Sequence, residues 1–484
     1  MKPVLTGLGL AGLLALSACG TVPHTTAQIA EPAAPAAWRN LPATADAAPW
    51  QTARPGDALD KGAWWTVFAD TQLNALQQQA LSTNPSLQAA AARVRLARAV
   101  LDGVGVAALP RVDGGLRNAR TRTSENRPAT TAAAQASTSV QNDWVMSASV
   151  SYELDLWGRQ QLDQDAAQAG VQQVEADGRN AQLVLSADLA ATYFSLRSLD
   201  AEIAVVEQGL QAQSRAADLL ALRRAGGVAS GLDSAQQQAL LDATRTQLTL
   251  LLKQRGQLEH ALATLVGTPA SAFALPAAQQ PAAWSPAPVV LPVVLPSEVL
   301  QRRPDIASAQ RAVAAANAQL GLAELAWYPS LTLSTNTGWE SKHLSSLLEA
   351  PSLLWAVGGG LTQPLWDGGR LRARQAQAQA SQELAATNYR QVVLRALQEV
   401  EDGLLALNTL STAQTQAQAA VRSAERVLTI AQDRYTGGLA TYLDVVTAQQ
   451  NALNNQRLST QLRAQQLQAT VYLVKALGGG WGPA

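Results

Sequence analysis

The sequence predicts an α+β protein whose two halves each combine long helices with a pair of short strands. Three observations support this prediction: motifs that recur in the same order, two long zones without proline, and short segments in which apolar and polar residues alternate. The chain has 484 residues and a formal net charge of zero, so no basic excess favours nucleic acid as a partner.

The recurring motifs indicate two internal repeats. The first matches lie 219 positions apart, namely Asn84-Pro85 with Arg303-Pro304 and Leu109-Pro110 with Tyr328-Pro329. Later matches lie 211 positions apart, namely Gly226-Gly227 with Gly437-Gly438, Leu232-Asp233 with Leu443-Asp444, and Gly267 with Gly478. We therefore predict repeats at 64–267 and 297–484. Residues 268–296 hold seven of the 22 prolines and are predicted to form an extended connector.

Long helices are predicted in the two zones that lack proline. Apolar residues there recur every three or four positions, which is the 3.5-residue period of a coiled coil. They are Leu196, Leu199, Ile203, Val206 and Leu210, and then Val393, Leu397, Val400, Leu404 and Leu407. Helices over 159–225 and 370–436 would each be about 100 Å long. An ordinary soluble helical bundle would show the same periodicity.

Two strands are predicted in each half. From Trp144 to Leu156 every second residue is apolar, over a length that suits a tilted membrane strand. The segment 331–339 repeats this alternation, while 111–121 and 355–363 are weaker candidates. Tryptophans cluster at the strand ends, where membrane interfaces favour them. They are Trp144, Trp157, Trp339, Trp355 and Trp366. A soluble sandwich remains the alternative for these strands.

Four strands cannot close a membrane barrel, because a barrel leaves no strand edge unpaired. Two copies would give eight strands, whose interior the side chains fill. Three copies give twelve, which leaves room for an aqueous bore. If the strands line a channel, the strand number therefore predicts a homotrimer.

The N-terminus predicts export and lipid attachment. Residues 1–18 resemble a signal peptide, with Lys2 ahead of an apolar run. Leu16-Ser17-Ala18-Cys19 resembles the bacterial lipobox, and Cys19 is the chain's one cysteine. We expect an N-acyl diglyceride on Cys19, the only covalent group or cofactor predicted, followed by an extended segment over 19–63. An incidental small apolar residue is the alternative role for Cys19.

Nothing in the sequence favours an enzyme. The three histidines are scattered without metal-ligand spacing, and no nucleophile elbow of the Gly-x-Ser-x-Gly type is present. We predict no catalytic residue and no metal site.

Three motifs resemble the outer-membrane factor family of the TolC type, in its NodT/OprM-like lipoprotein branch. They begin at Trp64-Trp65, at Arg302-Arg303-Pro304-Asp305-Ile306, and at Gln363-Pro364-Leu365-Trp366-Asp367-Gly368-Gly369-Arg370. The resemblance implies a homotrimer with a 12-stranded outer-membrane β-barrel continuous with a 12-helix coiled-coil periplasmic barrel. It also implies outer-membrane lipid, a periplasmic adaptor protein and an inner-membrane RND transporter as partners.

The resemblance assigns two kinds of site to the helix tips. A periplasmic gate falls on Tyr435 and Asp444, although the prototype's Arg is Ala440 here and a frequent second Asp is Thr447. Helix packing for Tyr435 and a solvated N-cap for Asp444 are the alternatives.

Adaptor docking falls on two turns, Gly227-Val228 and Gly438-Leu439. A hairpin needs one glycine for its turn in any case. Gly438 is predicted to be a docking residue as well as a turn residue. Because Gly437 offers a second such position, the pair has more freedom than one reversal needs, which suits close approach of a partner.

The predicted function is a passive exit duct of a tripartite efflux pump. A type I secretion duct is the nearest alternative, and a structural periplasmic coiled-coil lipoprotein is a more distant one. The lipobox favours efflux, because secretion ducts of this family usually lack it.

Overall fold

A computed structural model describes residues 35, 37–39, 62–122, 124, 140–277, 299 and 301–479. In chain order, the helices and strands are α1 (Thr71–Thr83), α2 (Pro85–Ala107), β1 (Arg111–Thr121), β2 (Gln141–Leu154), α3 (Arg159–Ala225), α4 (Gly231–Val266), α5 (Pro304–Leu325), β3 (Ser330–Ser341), β4 (Leu353–Thr362), α6 (Arg370–Thr436) and α7 (Tyr442–Ala476). The order helix, strand, strand, long helix, helix occurs in each half. None of the described helices is both long and apolar enough to cross a membrane.

The described residues divide into two compact units, and neither coincides with one half of the chain. The sheet unit comprises Arg95–Gln173 and Gln310–Asn388. The helix unit comprises the described residues of 31–94, 174–309 and 389–484. Each unit therefore contains segments of both halves. In the sheet unit this is because strands of the first half pair with strands of the second.

The sheet unit contains one antiparallel sheet in the order β1-β2-β3-β4. All four predicted strands are confirmed, including the two weaker candidates. Residues paired across antiparallel strands share a face, and the register puts most of the apolar residues of the four strands on one side. These residues are Val112, Leu116, Trp144, Met146, Ala148, Val150, Tyr152, Leu154, Leu331, Leu333, Trp339, Leu353, Trp355, Val357 and Leu361.

The base of the sheet is fixed where strands meet helices. The indole Nε1 of Trp157 donates to the Pro329 carbonyl at 2.7 Å, and its ring packs against Tyr328 at 5.2 Å between centroids. Asp367 accepts hydrogen bonds from the Leu371 amide at 2.7 Å and the Gly369 amide at 2.9 Å, which caps α6. These two bonds, led by that from Leu371, hold the pKa of the Asp367 carboxyl below its ordinary value.

The helix unit has a core that follows the predicted coiled-coil spacing. Leu196, Val206, Val393 and Val400 are completely buried, which confirms the apolar stripes of α3 and α6. The 3₁₀ turn Trp64–Phe68 packs on the same core.

Aromatic contacts attach that turn to α3. The Phe68 and Phe194 rings lie 4.6 Å apart, and Trp64 Nε1 donates to the Ser186 hydroxyl at 3.0 Å. Burial of these large rings is a main source of hydrophobic stabilisation.

Buried ion pairs fasten the chain beyond α4 to the helices. Asp200 on α3 pairs with Arg197 at 3.1 Å and Arg255 at 2.7 Å. The same guanidiniums donate to the carbonyls of Pro276 at 2.8 Å and Leu275 at 2.7 Å. Such buried charges are tolerated because each has several partners.

Gly267 and Gly478 end α4 and α7 where another backbone lies close. Gly267 has φ +81°, and a Cβ there would lie 2.8 Å from the Thr83 carbonyl oxygen. Gly478 has φ +91°, and its Cβ would lie 3.2 Å from the Arg302 carbonyl oxygen. Both positions favour glycine, since left-handed backbone strains a residue with a Cβ and the nearby carbonyls leave little room for one.

We predict that Gly267→Ala lowers stability by about 2 kcal/mol or more, because it adds backbone strain to a steric clash. Gly256→Ala on the same helix is the matched control. A Cβ at Gly256 would meet nothing within 4 Å, so this change should add about 0.5–1 kcal/mol of stability. Thermal unfolding of the two purified variants measures the difference. Equal midpoints would contradict the prediction.

Candidate functional site

Two helical hairpins carry the predicted site residues at their tips. The first joins α3 to α4 and the second joins α6 to α7. Each long helix ends in a Schellman motif. In the first, the amides of Gly227 and Val228 donate to the carbonyls of Arg224 at 3.0 Å and Arg223 at 2.8 Å.

The second tip repeats this pattern. The amides of Gly438 and Leu439 donate to the carbonyls of Tyr435 at 3.0 Å and Arg434 at 2.7 Å. The two turns therefore have the same hydrogen-bond geometry.

The glycines whose backbone is left-handed in the turns are the same ones that were assigned to docking. Gly227 has φ +74° and Gly438 has φ +73°, whereas Gly226 and Gly437 are not left-handed. The predicted turn role of Gly438 is confirmed, but Gly437 does not provide a second left-handed position, so the spare freedom that suggested docking at Gly438 is absent. Gly438 is the residue that reverses the chain.

Asp444 and Asp233 hold equivalent places at the start of the returning helices. The Asp444 carboxylate accepts hydrogen bonds from the Thr441 amide at 3.0 Å and the Thr441 hydroxyl at 2.8 Å. Asp233 accepts from the Ser230 amide at 3.2 Å. Asp444 is exposed and Asp233 is half-buried, and each carboxylate stabilises a helix N-terminus. The local geometry thus gives Asp444 a capping role, whatever its role in an assembly.

Tyr435 lies at the contact between the two hairpins. Its ring packs edge-on against Tyr442 at 5.0 Å, and the Arg223 guanidinium of the first hairpin lies 5.8 Å from its centroid. A cation over an aromatic face is attracted by the ring quadrupole. Tyr435 is half-buried, so helix packing accounts for part of its environment.

A buried hydrogen-bond chain continues this contact, and the sequence did not predict it. The Tyr442 hydroxyl donates to Gln237 Oε1 at 2.8 Å, and Gln237 Nε2 donates to the Gln213 carbonyl at 2.8 Å. Burial raises the pKa of the Tyr442 phenol to about 12, so it stays protonated and donates at physiological pH. The sequence offers only a difference between the repeats as a signal. The positions 211 residues from Tyr442 and Gln237 hold Gly231 and Ala448, so neither repeat has both partners.

Both turns leave an apolar side chain in solvent. Val228 is 78% exposed and Leu439 is 73% exposed. In a Schellman motif this residue often packs on the helix residue five positions earlier. Here those residues are Arg223 and Arg434, which offer a charged partner instead. Each tip therefore exposes one apolar side chain at the same position of its turn.

Two further predictions concern the lipidation site and metal binding. Cys19 and the segment up to residue 34 lie outside the described residues. Across the described part of the chain, no cluster of His, Cys, Asp and Glu is arranged to hold a metal ion.

A family model for outer membrane efflux proteins matches residues 76–268 and again 295–479. The chain belongs to the outer membrane efflux protein family. Its relatives include the pyoverdine export outer membrane protein OpmQ of Pseudomonas aeruginosa, 32% identical over 475 residues, which are 98% of this chain and 96% of OpmQ. The toluene efflux pump outer membrane protein TtgF of Pseudomonas putida is 33% identical over 481 residues, which are 98% and 96% of the two chains.

Solved structures agree with the sequence relatives. The outer-membrane channel OprN matches with a TM-score of 0.84 and 26% identity, covering 96% of this chain and all of OprN. VceC from Vibrio cholerae matches with a TM-score of 0.79 and 28% identity, covering 88% of this chain and all of VceC. The predicted TolC-type fold, mostly helical with strands, is confirmed.

Membership of this family also confirms the predicted location and general function. The chain is an efflux protein of the bacterial outer membrane that extends into the periplasm. Its family consists of efflux channels and is not a family of enzymes.

We predict that Tyr442→Phe weakens the contact between the hairpins, because it leaves the buried Gln237 oxygen without a donor. The expected loss of stability is about 1–3 kcal/mol. Tyr435→Phe is the control, because the Tyr435 hydroxyl makes no hydrogen bond to any described residue, and its ring packing is kept. Thermal unfolding and protease cleavage at the tips compare the two variants. Equal behaviour would show that the hydrogen bond contributes nothing.

Proposed function

We propose that this protein is the exit duct of a tripartite RND-type efflux pump, a passive conduit for small molecules across the periplasm and outer membrane. The observation that carries the proposal is the agreement along both halves with a family of outer-membrane efflux channels. Its partners would be a periplasmic adaptor and an inner-membrane RND transporter. Relatives named for toluene efflux and pyoverdine export indicate that cargo varies within the family.

The working form proposed is a homotrimer with a closed 12-stranded β-barrel and a 12-helix coiled-coil barrel. Support comes from the sheet, in which β1 and β4 each pair along only one edge within the described residues. An unpaired edge is unfavourable in lipid, because its amides and carbonyls lack partners. Three copies would pair every edge by joining β1 of one chain to β4 of the next.

The apolar face of the sheet is proposed to contact lipid. Several of its side chains are at least two-thirds exposed in the single chain, namely Val112, Leu116, Trp355, Val357 and Leu361. The opposite face carries Arg111, Asp113, Arg117, Asp143, Glu153 and Glu340. An apolar exterior with a polar interior is the pattern of membrane barrels that hold water.

Two repeats per chain are part of the proposal. The same family model matches each half separately, and the order of elements recurs. The proposed boundaries are 64–267 and 297–484, joined by the connector 268–296.

Lipidation of Cys19 is proposed from the lipobox. We predict that Cys19→Ser abolishes incorporation of labelled palmitate while the protein still folds, because acyl burial supplies the anchor and the strands insert independently. Palmitate label that persists on the variant would contradict the assignment.

The exposed turns Gly227-Val228 and Gly438-Leu439 are the proposed docking points for the adaptor. Because Gly438 must stay glycine for the turn, Leu439 is the better residue to test. We predict that Leu439→Gln leaves the protein level unchanged but reduces adaptor cross-linking and drug efflux severalfold. Leu439→Met keeps the apolar surface and should behave like the unchanged protein.

Cross-linking and efflux are measured in cells that express the matching adaptor and pump. Full efflux by Leu439→Gln would remove this turn from the docking surface. Export of a protein substrate in place of small molecules would favour the secretion-duct alternative.

Asp444, with Tyr435, is the proposed periplasmic gate. In a trimer three copies of Asp444 would face one axis, where like charges attract cations. We predict that Asp444→Asn raises single-channel conductance and weakens block by divalent cations. Asparagine keeps an oxygen that accepts the Thr441 hydrogen bonds, so stability should change little. Unchanged conductance and block would leave Asp444 as a helix cap only.

A further inference from the structure

The apolar face of the sheet carries one charged residue. Among the residues of the four described strands, Arg120 is the only ionisable residue with charge at neutral pH on that face, and no Asp or Glu lies there. It is paired across β1 and β2 with Asn142 and is exposed. A cation on a lipid-facing surface needs an explanation, because burying an unpaired charge in an apolar medium is costly.

The position of Arg120 is set by the tryptophans of the same face. Trp144 on β2 is paired with Ser341, and Trp339 on β3 lies two residues from that partner. Trp339 is paired with Leu353, and Trp355 on β4 again lies two residues further. The three indoles thus follow an oblique line that shifts by two residues at each strand.

Extending this line in the other direction leads to Arg120. Trp144 is paired with Asn118 on β1, and the residue two positions further is Arg120. Strands of membrane barrels are tilted by roughly 35–45°, and a tilt of this size displaces residues at one membrane depth by about one to two positions from strand to strand. Tryptophan bands of this kind mark the interface between lipid tails and headgroups.

The line lies toward the end of the sheet opposite the one at which the strands join helices. α2, α3, α5 and α6 are all joined to the opposite end of the strands. Given the proposed function, the helices are periplasmic and the line therefore marks the outer leaflet. That leaflet is built from lipid A, a glycolipid that carries phosphate groups on its headgroup.

The neighbouring arginine on the same strand shows a different environment. Arg117 lies on the polar face and pairs with Asp143 at 2.9 Å. Arg120 has no such cross-strand acid, because its partner is an asparagine. The Arg120 guanidinium and the Asn142 amide both provide N–H donors, and neither carries a negative charge that would repel an anion. This combination suits phosphate.

We propose that Arg120, assisted by Asn142, binds a phosphate of lipid A at the outer rim of the sheet. The guanidinium matches phosphate geometry in a two-point contact, and the long alkyl stem of arginine is compatible with an apolar surface. The cost of placing arginine on a lipid-facing strand is greatest at the membrane centre and small at the interface. The inference rests on the proposed membrane position of the sheet.

The test measures lipid binding to the purified full-length protein in detergent. Bisphosphorylated lipid A, dephosphorylated lipid A and phosphatidylglycerol are added separately, and bound lipid is quantified by native mass spectrometry. Bisphosphorylated lipid A should bind most tightly. Arg120→Gln should weaken its binding about tenfold, since one charge-assisted contact is lost. Arg117→Gln on the opposite face is the matched control and should bind as the unchanged protein does.

Equal binding of phosphorylated and dephosphorylated lipid A would overturn the proposal, as would unchanged binding by Arg120→Gln. Preferential binding of phosphatidylglycerol would also overturn it, because the phosphate source would then be wrong. Channel conductance of the same preparations distinguishes a failure of the Arg120 proposal from a failure of the proposed function. A conducting protein without the lipid preference refutes only the Arg120 site, whereas a protein that neither conducts nor needs detergent refutes the membrane position itself.

Discussion

The pairing of β2 with β3 is the interaction on which the rest of the sheet depends. It joins a strand of the first half to a strand of the second, and its register decides the face of every side chain. A shift of one residue would move Trp144 and Met146 to the polar side of the sheet and Asp143 and Glu153 to the apolar side. The close approach at Gly338 opposes such shifts. A shifted register would bring a residue with a Cβ to this position, and a Cβ there would overlap the Met146 carbonyl. One glycine thus helps to keep the two surfaces of the sheet chemically distinct.

Much of the secondary structure could be predicted from local patterns. The strict alternation from Trp144 identified β2, and the absence of proline identified α3 and α6 with the observed 67 residues each. β1 gave a weaker signal, because Gly114 and Gly115 interrupt its alternation. In each of these elements the determining interactions lie within a few residues of one another.

The contacts at the tips could not be predicted in the same way. Gly437 and Gly438 are indistinguishable by composition, and only the hydrogen bonds of the helix end decide which one becomes left-handed. The bond from Tyr442 to Gln237 spans 205 positions and depends on how two hairpins pack. A single sequence carries no periodic signal for such a pair. The gate and docking assignments came from family resemblance, whereas the capping role of Asp444 and the turn role of Gly438 are shown by the geometry.

The difference between the two hairpins has a consequence for symmetry. Their turns and caps are alike, yet the pair Tyr435 and Tyr442 belongs to the second hairpin alone, and the first has Arg224 and Gly231 at the matching positions. In the proposed trimer six hairpins would alternate around the axis, so the backbone would approach sixfold symmetry while the side chains keep only threefold symmetry. A partner that contacts the ring would meet two chemically different kinds of tip. Its subunits could therefore occupy six places that are equivalent in shape but form two sets in binding energy.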